Sequence, residues 1–370
     1  MKIERFKIEE WMNEYEDDAV YNLAETCVDS LTLRELVELG EESYDTFFNR
    51  LSKKKLTYGH IEGSPKFRTL VAGLYETMKP ENVLVMNGGI GANFLLFYSL
   101  VERDDEVVSV HPTYQQLYEV SASFGAKVKR FELRPENQFL PDLDELRSLV
   151  NEKTKLIVIN NPHNPSGAVM EREMIEEIVE IARSVDAYVL CDEVYRNLLQ
   201  EPNADVPSVV DLYEKGISTS SMSKALSLAG LRLGWIAARE DVIAECLKHR
   251  DYTTISCGML DDELATLALR NYDKIMERNL KIVRDNLAIL DEWIQSEPRL
   301  SYVKPKGGTT AIIKYDYNMS SVDFCLGLYN KNGTFIAPGS CFDLEGTFRI
   351  GYACSTEVLK EGLQKFSEYL

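Results

Sequence analysis

The run Ser218-Thr219-Ser220-Ser221-Met222-Ser223-Lys224 sets one lysine among small hydroxyl side chains, with Arg232 eight positions on. A lysine amine held beside a phosphate-bearing aldehyde can condense with it to a Schiff base. Ser221, Ser223 and Arg232 are the donor types that would hold the phosphate. A serine-flanked lysine by itself is more often a solvated loop residue, so the reading depends on the rest of the chain. Two upstream segments support it. YVLCDEVY at 188–195 reads as a short apolar strand ending in an acid, and a carboxylate at the end of a buried strand needs a partner or a function. Asp192 is suited to hold a protonated pyridine nitrogen, and Tyr195 to donate to a phenolic oxygen. KLIVINNPHNPSG at 155–167 is a second apolar strand running into a polar loop, from which Asn164 could donate to the same oxygen.

Seven motifs in order along the chain carry a resemblance: Tyr58 in YGHIEG, Gly88-Gly89-Ile90-Gly91, Tyr114 in HPTY, Asn164 in NNPHNPSG, Asp192 and Tyr195 in DEVY, Ser221 to Arg232, and Arg349 in FRIGYACS. Together they resemble the pyridoxal-phosphate enzymes of the aspartate aminotransferase superfamily, fold type I, class I/II. The resemblance implies pyridoxal 5'-phosphate bound through Lys224. Gly89, Ile90, Ser221, Ser223 and Arg232 would lie on the phosphate, Tyr114 would stack on the ring, and Asp192, Asn164 and Tyr195 would meet its polar edge. It further implies that Arg349, with Asn164, grips the substrate α-carboxylate, that Tyr58 reaches the phosphate of a partner subunit in a homodimer, and that the substrates are an amino acid and a 2-oxo acid. His163 is expected only to shape the loop before Asn164.

One segment departs from that pattern. Where aminotransferases of this class carry a glycine-containing G-x-x-[DE] segment, this chain reads Asn22-Leu23-Ala24-Glu25-Thr26. The Ala-Glu pair resembles aminocyclopropane-carboxylate synthases and related eliminating or cyclising members. Glu25 is therefore a candidate to contact the substrate amine or act as a second base, against a reading as a capping or surface acid. Aminotransferase is the leading expectation, with a lyase or cyclase as the alternative.

The elements that must position these residues follow from hydrophobic periodicity. NVLVMN, EVVSVHP, KVKRFEL, KLIVINN, YVLCDE, GISTSS and LGWIAA read as seven strands, with helical stretches near 90–101, 114–124, 142–151 and 171–185 between them. Such alternation predicts an α/β fold with a mostly parallel seven-stranded sheet covered on both faces, its ligands beyond the carboxyl ends of the strands. The Gly88–Gly91 turn follows a strand and opens a helix, so its amides could cradle a phosphate. A dinucleotide fingerprint is disfavoured because the third glycine position is Phe94 and the second strand ends at His111. The expected division is an N-terminal segment of a small domain at 1–50, a large cofactor-binding domain at 51–240, and connecting helices with the rest of a small α+β domain at 241–370. Within the last part, a long helical region from about Asp241 to Ser296 leads into a strand-rich tail.

Composition bounds the rest. With 370 residues, 45% of them apolar, the chain can bury a sizeable core. A net charge of −19, from 41 basic and 60 acidic residues, argues against nucleic acid or an anionic membrane surface as a partner. The first twenty residues lack a signal peptide's apolar core, and the longest apolar stretch, Phe94 to Val101, is too short to span a bilayer. Seven scattered cysteines without C-x-x-C spacing, and four histidines without ligand spacing, predict reduced thiols, no metal and a cytoplasmic protein.

Overall fold

In a computed structural model, which describes residues 2–370, the chain forms a seven-stranded sheet, a four-stranded sheet, a two-stranded pair and the helices that cover them. Helix α1 spans Lys7–Tyr15. The large sheet contains β1 (Val83–Met86), β2 (Glu106–His111), β3 (Lys127–Glu132), β4 (Thr154–Asn160), β5 (Tyr188–Asp192), β6 (Gly216–Ser221) and β7 (Gly234–Ala237). Their order is β1-β7-β6-β5-β4-β2-β3. All pairings are parallel except those of β7, which runs antiparallel to both of its neighbours. The expected mostly parallel seven-stranded sheet is thus present.

Strands β1, β5 and β6 are buried along nearly their whole length, as a sheet covered on both faces requires. Two apolar clusters meet across it: Leu84, Leu96, Val107, Leu190 and Ile236 belong to one, and Val85, Val108, Ile157, Val189 and Trp235 to the other. The register aligns Asn160 with Asp192, and Asp192 with Thr219. Adjacent strand ends therefore bring these polar groups to one edge. Residue 193 points the opposite way, as pleating demands. There Glu193, 3% exposed, accepts from the hydroxyls of Ser208 and Ser218 and leaves Asp192 alone to face the crevice.

A four-stranded antiparallel sheet, ordered Ala337–Pro338, Thr347–Gly351, Thr310–Tyr315 and Leu300–Tyr302, forms the C-terminal part. The two-residue strand Tyr21–Asn22 pairs with Thr334–Phe335, so both ends of the chain meet in the smaller unit. The predicted helical region from Asp241 to Ser296 is three helices: Glu240–Arg250, Met259–Arg270 and Tyr272–Ser296. The first break holds Thr253, Thr254 and Gly258, all poor helix formers, and Ile255 at φ 57°.

Candidate active site

Beyond the carboxyl ends of β4, β5 and β6 lies a cavity of about 340 Å³. It is lined by Lys224, Asp192, Tyr195, Asn164, Arg349 and Glu25, and by Gly89, Ile90, Tyr114, Ser221, Ser223 and Arg232. Of the candidate site residues singled out in the sequence, only Tyr58 lies elsewhere. It is 79% exposed on a separate groove with His60 and Met259.

Helix α2, Gly88–Leu100, starts directly after β1, and its first N–H groups have no partner within the helix. Gly88 sits at φ +71°, and a Cβ there would meet Arg232 Nη2 at 2.9 Å. A Cβ on Gly89 would lie 3.1 Å from Val194. Glycine thus lets the helix start, the guanidinium and the Ser221–Ser223 turn close around one small space. Arg232 forms no ion pair with a carboxylate among the described residues, and donates to the Ala229 carbonyl at 3.0 Å. Ser221 Oγ accepts the Ser223 N–H at 3.2 Å, which tightens the turn.

Asp192 is 5% exposed. One carboxylate oxygen accepts from Asn93 Nδ2 at 2.8 Å and the other from the Val194 N–H at 3.2 Å. Burial pushes its pKa up to about 6, with the Asn93 hydrogen bond working in the opposite direction. No cation pairs with it among the described residues. Lys224 Nζ donates to Thr26 Oγ1 at 2.6 Å and lies 3.5 Å from Cys27 Sγ and 3.9 Å from Glu25 Oε1. Burial opposes its charge, but Cys27, Tyr195 and Glu25 outweigh burial and hold the ammonium above its ordinary range. Burial also raises the Tyr195 phenol, with Lys224 pulling the other way.

Arg349, 3% exposed, donates to Asn164 Oδ1 at 3.3 Å and to the Ala24 carbonyl at 3.0 Å, while its Nε has no partner. Arg349 lines the cavity and pairs with no carboxylate among the described residues, so its charge is open to an anionic ligand. Asn164 spends its carbonyl oxygen on Arg349 and its backbone N–H on Asn160 Oδ1, which leaves the side-chain NH₂ for a ligand. His163 bonds Ser166 Oγ and the Pro112 carbonyl and so fixes the loop. Tyr114 donates to Glu9 Oε1 at 2.7 Å and packs on Phe6 at 4.8 Å. Glu25 Oε1 accepts the N–H groups of Thr26 and Cys27, so this acid also shapes its own turn.

Several lining residues escaped the sequence reading. Asn93 could have been found, being the one amide in an otherwise apolar helix. Asn160 ends an apolar run in the same way. Thr26, Cys27 and the N-terminal residues Glu9, Met12 and Glu16 carried no signal, because the amphipathic pattern of α1 specifies the buried Ile8 and Trp11 but not what the other face meets.

The residues fit pyridoxal phosphate. A helix start with an arginine that no carboxylate pairs suits the phosphate, an unpaired buried carboxylate suits a ring cation, and a lysine shares the cavity lining with both.

A family model for aminotransferase class I and II matches residues 20–366. Capreomycidine synthase of Streptomyces vinaceus is 31% identical over 370 aligned residues, 98% of this chain and 93% of that protein. Aspartate aminotransferase of Pyrococcus horikoshii is 31% identical over 349, covering 90% and 89%. The crystal structure of a PLP-dependent aminotransferase from Streptococcus suis superposes with a TM-score of 0.97 at 47% identity, covering 100% of this chain and 98% of that one.

Proposed function

We propose, for a chain that belongs to the class I and II aminotransferases, a family of pyridoxal-phosphate enzymes of fold type I, that it moves the amino group of an L-amino acid onto a 2-oxo acid. The observation that carries this reading is the buried Arg349, which pairs with no carboxylate among the described residues, in the lining of the same cavity as Lys224 and Asp192. When bound, pyridoxal phosphate supplies an aldehyde for the amino group and a ring that accepts the electrons of the broken Cα–H bond. The chain's own residues do the rest. Arg349 grips the α-carboxylate and fixes which Cα bond is presented. In its neutral form Lys224 Nζ would take the Cα proton and return it one carbon away. Asp192 would keep the ring nitrogen protonated. Asn164 and Tyr195 would donate to the phenolic oxygen, and Arg232, Ser221, Ser223 and the α2 amides would hold the phosphate.

A second reading, elimination or cyclisation, is supported by the Glu25 carboxylate 3.9 Å from Lys224 Nζ. Mixing the holoenzyme with a panel of amino acids and identifying products by mass separates the two. Keto acid, with the cofactor left in its amine form, is the expected outcome. Ammonia, an alkene or a ring with the aldehyde cofactor restored would overturn it. Glu25→Gln sharpens the test, because Gln keeps the Oε1 that accepts the Thr26 and Cys27 N–H groups. An ordinary transaminase should lose less than about tenfold in turnover. An eliminating enzyme should keep solvent exchange of the α-proton and lose its product.

The active unit on this reading is a homodimer. Leu56 is 77% exposed, Tyr58 79% and Tyr252 85%, with Ile61 and Ile255 also exposed on two segments tied together by Arg250 donating to the Ile61 carbonyl. Exposed apolar side chains on neighbouring segments support an interface there. Sedimentation should show a dimer at assay concentration, and a fully active monomer would reject a shared site at Tyr58. The seven free cysteines support a reducing, cytoplasmic compartment. Among the described residues no helix is long and apolar enough to cross a membrane.

A further inference from the structure

Setting aside the residues that would face the bound cofactor, the rest of the cavity lining is helix α1 with the residue after it, the turn at 24–27 and Arg349. The charged side chains on that wall, Arg349 apart, are Glu9, Glu16 and Glu25. Every cation of the cavity is already committed, Lys224 to the reacting carbon, Arg232 to the phosphate and Arg349 to the α-carboxylate. None remains to meet a carboxylate on the substrate's own side chain. We propose that the enzyme selects an amino acid whose side chain ends in a cation, an ammonium or guanidinium seated against Glu9, Glu16 and Glu25. This rests on the amino-acid reading above and names the substrate class of the same site.

Two independent features support it. Arg349 lines the cavity, is 3% exposed and pairs with no carboxylate among the described residues, which marks where a ligand carboxylate belongs, so the side chain of an amino acid held there and at Lys224 is left with the α1 wall. The three acids are also held ready. Tyr114 OH donates to Glu9 Oε1, Asn22 Nδ2 to Glu16 Oε1 at 3.0 Å, and two backbone N–H groups to Glu25 Oε1, leaving the second oxygen of each carboxylate for a ligand. Burial pushes the Glu16 carboxyl above its ordinary value, and Glu25, Asp17 and Glu9 add to that by like-charge repulsion. A ligand cation would relieve the repulsion. The wall itself is anchored: the Lys7 N–H donates to Gln115 Oε1 at 3.0 Å, Lys7 pairs with Asp343, and Trp11 Nε1 donates to the Ile336 carbonyl at 3.0 Å. A side-chain carboxylate, as in aspartate or 2-oxoglutarate, would instead enter a wall of like charge.

The test titrates the holoenzyme with L-arginine against L-citrulline and L-lysine against L-norleucine, pairs of similar length that differ in charge, and with L-aspartate, following the cofactor absorbance. Arginine or lysine should bind about tenfold or more tightly than its neutral counterpart, the difference a charge-assisted bond makes, with aspartate weakest. Glu16→Gln and Glu9→Gln should each narrow that ratio several-fold. Neutral partners or aspartate binding as tightly as the cationic ones would overturn the proposal, as would a ratio that neither variant changes. If no amino acid perturbs the absorbance, the amino-acid reading itself falls and this inference with it. A response to aspartate or norleucine without one to arginine or lysine overturns the side-chain inference alone.

Discussion

Lys224→Ala is expected to give a folded protein that no longer holds its cofactor covalently and whose turnover is lower by about 10²–10⁴-fold or more, the range that a positioned general base supplies. Among the described residues Lys224 is the one lysine lining the cavity, so no neighbouring side-chain amine of that lining can take its place. The fold should survive. The side chain's hydrogen bonds run only to Thr26 and Cys27, among the described residues, and no strand or helix of the core depends on them. Borohydride reduction of the wild-type holoenzyme followed by peptide mapping should place the cofactor on Lys224, while the variant carries none. Cofactor found on any other lysine, or turnover within tenfold of wild type, would sink the assignment. Far-UV circular dichroism of the variant separates loss of chemistry from loss of structure.

Much of this site was legible because its chemistry is written in short segments at strand ends. Lys224, Asp192, Tyr195 and Asn164 each sit within or a few residues past a strand, and a parallel sheet gathers such ends at one edge whatever the order of the strands. The order itself was not legible. LGWIAA is buried along its whole length, so it reads alike in either direction, and nothing local announces that it inserts antiparallel between β1 and β6. The wall that faces the substrate was the least visible part. Glu9 and Glu16 lie more than two hundred residues from Lys224, on or just past a helix whose sequence pattern fixes one buried face and is silent about the other. Glu25 was noticed only because its segment departs from a family pattern. Its hydrogen bonds to the Thr26 and Cys27 N–H groups are of the kind the capping alternative allowed, made at a turn rather than at a helix start.

Asp192→Asn is expected to lower turnover by about 10²–10³-fold, the scale on which removing one preorganised electrostatic partner acts. An amide carries no charge to keep a ring nitrogen protonated. The substitution also disturbs a fixed set of donors. Thr219 Oγ1 donates to Asn93 Oδ1 at 2.6 Å, so Asn93 must present its NH₂ to residue 192, while the Val194 N–H needs the second acceptor. Asparagine offers one oxygen for two donors, a mismatch costing about 1–3 kcal/mol at any pH. A second effect depends on pH and has the opposite sign. Burial raises the native pKa of Asp192 to about 6, above its ordinary value of 3.8, so between those values the folded state holds the proton more tightly than the unfolded state. Stability from this group is therefore lost as pH rises through that window. In cofactor-free protein, the difference in unfolding free energy should shift toward the variant by about 1 kcal/mol between about pH 5 and pH 7. A ring cation beside the carboxylate favours its charged form, so cofactor should abolish the shift. Urea unfolding at the two pH values, with and without cofactor, reads both effects. A flat difference in the cofactor-free protein would mean that Asp192 is not the strained buried acid described here, and turnover within tenfold of wild type would remove it from the chemistry.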